Sequence, residues 1–234
     1  MEENGKNILK NILSDFVNLN KTTDIKECYF NDVYKLANIN NLTGILYYQV
    51  KDTNINKVYL KELESNFLIT CSLALKKEVA LNEIDKLLDD NEIKHVFFKG
   101  SVIKDIYPVP ELRTMGDIDI LVDGENTERI KKILINNGYD FDNIFSYTGV
   151  MDFKKNNILF EVHTSLVYEE FKQGMGLIKY FKDYFKKTFK IKNYQYGLNV
   201  NDHFIYLVAH LSKHYYTGGS GIRMFLDIAI YMNY

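Results

Sequence analysis

Apolar residues recur with helical period through the first ninety positions. Ile8, Leu9, Ile12, Leu13, Phe16 and Val17 form one stripe. A longer segment, from about Lys57 to Leu88, sets Leu60, Leu63, Phe67, Cys71 and Ala74 on one side, with Glu62, Lys76, Lys77 and Glu83 largely elsewhere. Such a stripe is expected to pack in a core. The helical period fades in DKLLDDNE and gives way to KHVFFKGS, a short β-branched and aromatic run closed by glycine. A boundary is therefore expected near Glu92.

Beyond that boundary the period shortens. Strands are expected at 93–98, 118–122, 146–153 and 157–163, with a helix at about 125–137. Glu125 and Glu128 give that helix an acidic first turn, and Asn137-Gly138 supplies the left-handed residue that commonly ends one. Asp202 is the expected N-cap of a helix running to about Tyr215; GGSG interrupts, and a last helix starts at Ile222. The pattern predicts an α+β fold in three segments: a helical region over 1–92, an α+β core over 93–200, and C-terminal helices over 201–234. Tyr234 lies inside an apolar helical pattern with no cap or breaker, so the natural protein is expected to be longer.

Composition narrows the class. With 46% hydrophobic and 14% aromatic residues the chain can bury a large core. Its 29 basic and 31 acidic residues nearly cancel, so no overall positive charge points to nucleic acid. Cys28 and Cys71 have no metal-ligand spacing and are expected to be reduced and structural. The polar, acidic start is unlike an export signal, and apolar runs are interrupted well before the roughly 20 residues a membrane span needs. A soluble, cytoplasmic protein without membrane contact is expected. LIKYFKDYFKKTFKI interleaves lysines with aromatics, but Tyr180, Phe181, Tyr184, Phe185 and Phe189 are spaced for core packing rather than for stacking on bases.

Candidate chemistry centres on GDIDILVD. Asp117 and Asp119 are two apart on a strand whose alternate positions, Ile118, Ile120 and Val122, are apolar, so both carboxylates leave one face. Like charges held that close are best tolerated beside a divalent cation, and an oxygen ligand set with open positions suits magnesium. Upstream, FFKGS ends a buried strand at Gly100-Ser101 ahead of a short helical stretch; the glycine admits a ligand close to the backbone, and free N–H groups with the Ser101 hydroxyl would receive phosphate. Downstream, ILFEVHTSL projects Glu161 and His163 from one face of a second strand, giving a third carboxylate and a residue able to orient it or to bond phosphate. Arg113 rides on a loop stiffened by Pro108 and Pro110, where its planar fork could clamp a triphosphate or pair with a carboxylate. Lys99 and Lys104 flank the glycine turn with weaker claims. His210, Lys213 and His214 share a helical neighbourhood, as do Arg223 and Asp227; these residues could equally join helices to one another, and the histidines have no zinc pattern.

A Gly-Ser turn, then Asp-x-Asp on a strand, then an acidic residue on a later strand resembles the DNA polymerase beta-type nucleotidyltransferase superfamily. More narrowly, FKGSVIKDIYPVPELRTMGDIDILVD, FEVHTSL and AHLSKHYYTGGSGIRMFLDIAIYM are similar to a bacterial family of uncharacterised nucleotidyltransferases, over roughly residues 60–234. The 15 residues between Ser101 and Asp117 exceed the usual superfamily spacing, and YPVPELR accounts for the excess. The resemblance implies a mixed-sheet core with flanking helices and a metal site of Asp117, Asp119 and Glu161, beside which His163, by its place on the strand, is a candidate supporting residue. It also implies a nucleoside triphosphate such as ATP on Gly100 and Ser101. Lys213, then His214, are the candidates for the basic residue that related folds lend from a helical domain after the core, and Arg113 and Lys104 are candidate nucleotide contacts from their own positions beside the turn. Two magnesium ions, replaceable by manganese, would activate an acceptor and stabilise departing pyrophosphate. The acceptor is a small molecule, a protein or an RNA end. The rivals are a non-catalytic partner-binding or regulatory protein on the same scaffold, and a metal-dependent phosphohydrolase. Asp117→Ala or Asp119→Ala is expected to abolish transfer without harming the fold, since neither residue is expected to pack in the core.

Overall fold

The computed structural model describes residues 2–22, 25–145, 149–167 and 175–234; side chains at 2, 3, 143–145 and 175 are not described. Its helices are α1 (Glu2–Val17), α2 (Glu27–Ile39), α3 (Thr43–Val50), α4 (Lys57–Asp90), α5 (Gly100–Ile103), α6 (Thr127–Asn136), α7 (Met175–Phe181), α8 (Val200–Thr217) and α9 (Ile222–Asn233). Its strands are β1 (His95–Phe97), β2 (Asp117–Val122), β3 (Asp140–Phe145), β4 (Val150–Lys155), β5 (Ile158–His163), β6 (Phe189–Lys192) and β7 (Gln195–Gly197). The fold is α+β. Among the described residues no helix is long and apolar enough to cross a membrane.

The chain separates into two compact units: Met1–Lys76 with Ile103–Thr114 and His214–Tyr234, and Lys77–Val102 with Met115–Lys213. The contiguous segments 1–92, 93–200 and 201–234 differ from these units, because α4 continues unbroken through Lys76 and because the YPVPELR stretch belongs with the first helices and the last one. In the first unit Leu9, Ile12, Phe16, Phe30, Val33, Ile45, Leu46 and Leu63 are almost wholly buried. Tyr107 joins them, its ring 6.1 Å from that of Phe16. Of the stripe expected to pack along α4, Leu63 is fully buried and Leu60, Phe67, Cys71 and Ala74 are half-buried. Cys28 is exposed, and both cysteines are free.

The second unit is built on a seven-stranded sheet in the order β3-β4-β5-β2-β1-β7-β6. Two neighbouring pairs, β2 with β5 and β1 with β7, are parallel; the other described pairings are antiparallel. Alternation along β2 and β5 sends Ile118, Ile120, Val122, Phe160 and Val162 into one core with Ile84 and Leu88 of α4 and Ile130 and Leu134 of α6. The opposite face is left to the acidic positions. Gly138, at φ +79°, ends α6: the Tyr139 N–H donates to the Leu134 carbonyl and the Gly138 N–H to that of Ile135, the paired bonds of a Schellman cap.

Several expected elements shift. The strand expected at 146–153 is β4 at Val150–Lys155, with 146–148 outside the described residues. β3, β6 and β7 add strands that the alternation did not single out. α8 begins at Val200 and its cap is Asn199, whose side chain accepts from the Asn201 amide. Asp202 is instead inside the helix and buried, accepting from the hydroxyls of Tyr180 and Tyr184. Of the aromatics expected in the core, Phe181 and Tyr184 are buried, Phe185 is half-buried, and Tyr180 and Phe189 are exposed.

Candidate active site

β2 starts from a tethered end: the Lys77 ammonium donates to the carbonyls of Met115 and Gly116. The parallel register with β5 then sets Asp119 directly opposite Glu161 and Leu121 opposite His163. On the next strand, Asp152 faces Glu161 from the other side. His163 Nε2 lies 3.0 Å from Asp119 Oδ1 and 3.3 Å from Glu161 Oε2. Ligand atoms of Asp119, Glu161 and His163 all fall within 4.8 Å of one another, so the three could hold a metal ion. Asp117 is half-buried on the same strand face, two residues before Asp119. Asp119 is only 2% exposed, contrary to the expectation that neither aspartate packs in the core. Parallel pairing lays Glu161 and His163 against it, and Phe98 and Tyr206 close the region with ring centroids 5.1 Å and 5.3 Å apart in the sequence His163, Phe98, Tyr206.

A cation is already present among these carboxylates. Lys99 Nζ stands 2.5 Å from Asp119 Oδ1 and 3.7 Å from Glu161 Oε2. The backbone of Lys99 adopts φ +50°, and its N–H donates to His203 Nε2 at 3.2 Å. A left-handed lysine is uncommon and costs energy that surrounding contacts must offset. Burial works against the ammonium charge, but Tyr206, Asp119 and Glu161 outweigh it and hold Lys99 well above the ordinary lysine range. The His163 hydrogen bond, more than the Lys99 charge, keeps the Glu161 carboxyl below its ordinary value despite burial. Asp152 moves the other way, raised by burial and by the charge of Glu161. Its Oδ1 is buried with no hydrogen-bond partner among the described residues.

The glycine turn follows β1 and opens α5. Ser101 is 5% exposed, and its Oγ is also buried without a partner among the described residues. Such an orphaned hydroxyl costs about 1–3 kcal/mol unless something outside the chain satisfies it. The basic residues expected at the nucleotide fare differently. Arg113 is buried in the first unit, with Nε and Nη2 on the two carboxylate oxygens of Asp227 at 3.1 Å and 2.6 Å and Nη1 on the Thr114 carbonyl. Lys104 pairs with Asp105 at 3.0 Å. Lys213 is exposed and lies seven residues beyond Tyr206 on α8, about 10 Å along the helix; His214 is half-buried. The site thus gathers Asp119, Glu161, His163 and Lys99, with His203, Tyr206 and Asp152 as members that sequence reasoning missed. His203 and Tyr206 are three apart on α8 and so share a face, but nothing local shows which face meets the sheet.

A second group able to hold an ion is Asp85, Asp89 and His95. Here the chain supplies its own donors. Asp85 faces His95 Nε2 at 2.8 Å and receives Lys192 at 2.6 Å, while Asp89 accepts from the Tyr194 amide and the Asn193 side chain. The group fastens α4 to β1 and to the β6–β7 hairpin. Burial pushes the Asp85 carboxyl up, but His95 and Lys192 outweigh it and leave it below its ordinary value. A depressed carboxyl contributes stability that is present above the unfolded value, near 4, and lost as pH falls through the folded one. The difference in unfolding free energy between wild type and Asp85→Asn is therefore expected to narrow below about pH 4, as denaturant titrations across pH would show.

Comparison with known proteins bears on the chemistry. No curated protein matches the chain. Among solved structures, the crystal structure of the Megavirus polyadenylate synthase aligns with a TM-score of 0.46 and 12% identity, covering 91% of this chain. The chain spans 38% of that longer one. Residues 28–234 match the model of a family described as uncharacterised nucleotidyltransferase. The chain belongs to that nucleotidyltransferase family.

Proposed function

We propose that the protein is a magnesium-dependent nucleotidyltransferase, moving a nucleoside monophosphate from a triphosphate to an acceptor with release of pyrophosphate. The observation that carries this reading is the orphaned Ser101 hydroxyl in the same unit as the Asp119, Glu161 and His163 cluster. A phosphate oxygen would satisfy the hydroxyl, and Gly100 removes the side chain that would otherwise stand beside it. The donor set fits a hard divalent ion: two carboxylates with ligand atoms already close, and Asp117 next along the strand. Magnesium held by Asp117, Asp119 and Glu161 would neutralise phosphate charge and acidify the attacking group when bound.

The residues of the chain supply positioning. His163 Nε2 lies within reach of both carboxylates, where it would orient them. Strand order supports a direction for the reaction. The phosphate turn follows β1, the carboxylates stand on β2 and β5, and Asp152 comes next on β4. In-line displacement requires acceptor and leaving group on opposite sides of the phosphorus, so pyrophosphate would leave on the β1 side and the acceptor would approach from β4. Arg113 is not among the proposed contacts, because its guanidinium is spent on Asp227 and Thr114.

Calorimetric titration with each of the common triphosphates, with and without magnesium, tests the reading. Magnesium-dependent binding of at least one is expected, and Ser101→Ala should weaken it about 10- to 100-fold, the loss of one hydrogen bond to a charged oxygen. Absence of metal-dependent binding by the wild-type protein would overturn the proposal.

A further inference from the structure

The Lys99 ammonium sits where a cation between Asp119 and Glu161 would sit. Its nitrogen is 2.5 Å from one carboxylate and 3.7 Å from the other. Both are also within 3.3 Å of His163 Nε2, so the space among these groups is confined. A divalent ion entering it would meet a positive charge at contact range, and the carboxylate oxygen it needs is engaged. Metal and ammonium therefore compete for the same oxygens.

The backbone shows where the ammonium can go. Lys99 immediately precedes Gly100-Ser101, and its left-handed φ of +50° and its N–H bond to His203 fix the root of the side chain at the start of the phosphate turn. From that root a flexible four-carbon stem can reach the carboxylates or a ligand on the turn. A triphosphate would offer the ammonium new negative charge as the metal takes the old.

We propose that Lys99 is a positioning residue that holds the cation place between Asp119 and Glu161 in the nucleotide-free protein and transfers to the phosphates when a metal-bound triphosphate enters. The exchange rests on the nucleotidyltransferase reading given above. It makes metal binding and nucleotide binding mutually dependent: metal alone must displace an internal ion pair, whereas metal accompanied by phosphate gives the ammonium a new partner. By linkage, triphosphate strengthens metal binding by the same factor as metal strengthens triphosphate binding.

The test is titration of the full chain with manganese, alone and with a non-hydrolysable triphosphate, for wild type, Lys99→Met and Lys99→Arg, alongside melting temperatures in chelator and in manganese. Lys99→Met is expected to bind manganese alone at least about 10-fold more tightly than wild type, because the competing charge is gone. It should bind the triphosphate more weakly and melt lower in chelator, and manganese should raise its melting temperature more than that of wild type. Lys99→Arg keeps the charge and should stay near wild type in manganese affinity. If Lys99→Met does not fold, Lys99→Gln carries the same expectation. Equal or weaker manganese affinity in the neutral variants, with metal-dependent triphosphate binding intact in wild type, would overturn the exchange alone. Failure of every form to bind manganese would overturn the metal-site reading and the exchange with it.

Discussion

Asp117→Asn and Asp119→Asn are each expected to lower nucleotidyl transfer by a factor on the order of 10²–10³ or more, about 3–4 kcal/mol of transition-state stabilisation. Both changes keep the side-chain shape and remove the charge that a divalent ion requires. Their effects on stability should differ. Asp117 is half-buried, so its variant should unfold as wild type does. Asp119 is 2% exposed and receives both Lys99 and His163. Its amide leaves a buried ammonium with Glu161, 3.7 Å away, as the remaining carboxylate partner among the described residues, and should cost about 1–3 kcal/mol. Steady-state rates together with denaturant unfolding separate the two effects; wild-type turnover in both variants would remove the carboxylates from the mechanism.

The largest stability effect is expected at Arg113→Ala. Arg113 and Asp227 form a buried pair with two parallel hydrogen bonds, and Tyr107 adds its hydroxyl to Asp227 at 2.5 Å. Burial and the charge of Asp227 hold the Tyr107 hydroxyl well above its ordinary range, so it stays a donor at every physiological pH. Removing the guanidinium strands a carboxylate that is 5% exposed, a change that commonly costs about 3–5 kcal/mol. Arg113→Lys should recover only part of the loss, because an ammonium cannot make both bonds in the plane of the carboxylate. Chemical denaturation measures this directly. If Arg113→Ala instead kept wild-type stability and lost triphosphate affinity, the arginine would be a phosphate clamp and the structural assignment would be wrong.

These two cases show what local sequence can reveal. The alternation of Asp117, Ile118, Asp119, Ile120 already separates a core face from a polar face, and Asn137-Gly138 already marks a helix end, because strand pleat and backbone chirality act over a few residues. The partner of Arg113 is 114 positions away, and nothing near the arginine distinguishes a phosphate from a carboxylate. Lys99 was visible only as a lysine before a glycine turn; its pairing with Asp119 depends on β1 and β2 running antiparallel in one particular register. The β6–β7 hairpin is equally hidden. Its join to the sheet is a parallel pairing of β7 with β1 across a hundred residues, secured by Asp85, Asp89 and His95, none of which has a local signature. The two units are also assembled from non-contiguous stretches, which no composition shift along the chain announces.

The most direct test of the central claim is incubation of the purified protein with magnesium, α-labelled triphosphate and an extract supplying acceptors, followed by separation of small molecules, protein and RNA. Label should be retained on an acceptor fraction, with equimolar pyrophosphate released and both products reduced at least about 100-fold with Asp117→Asn. Label recovered wholly as free nucleotide, or acceptor labelling by Asp117→Asn equal to that by wild type, would rule out nucleotidyl transfer at this site.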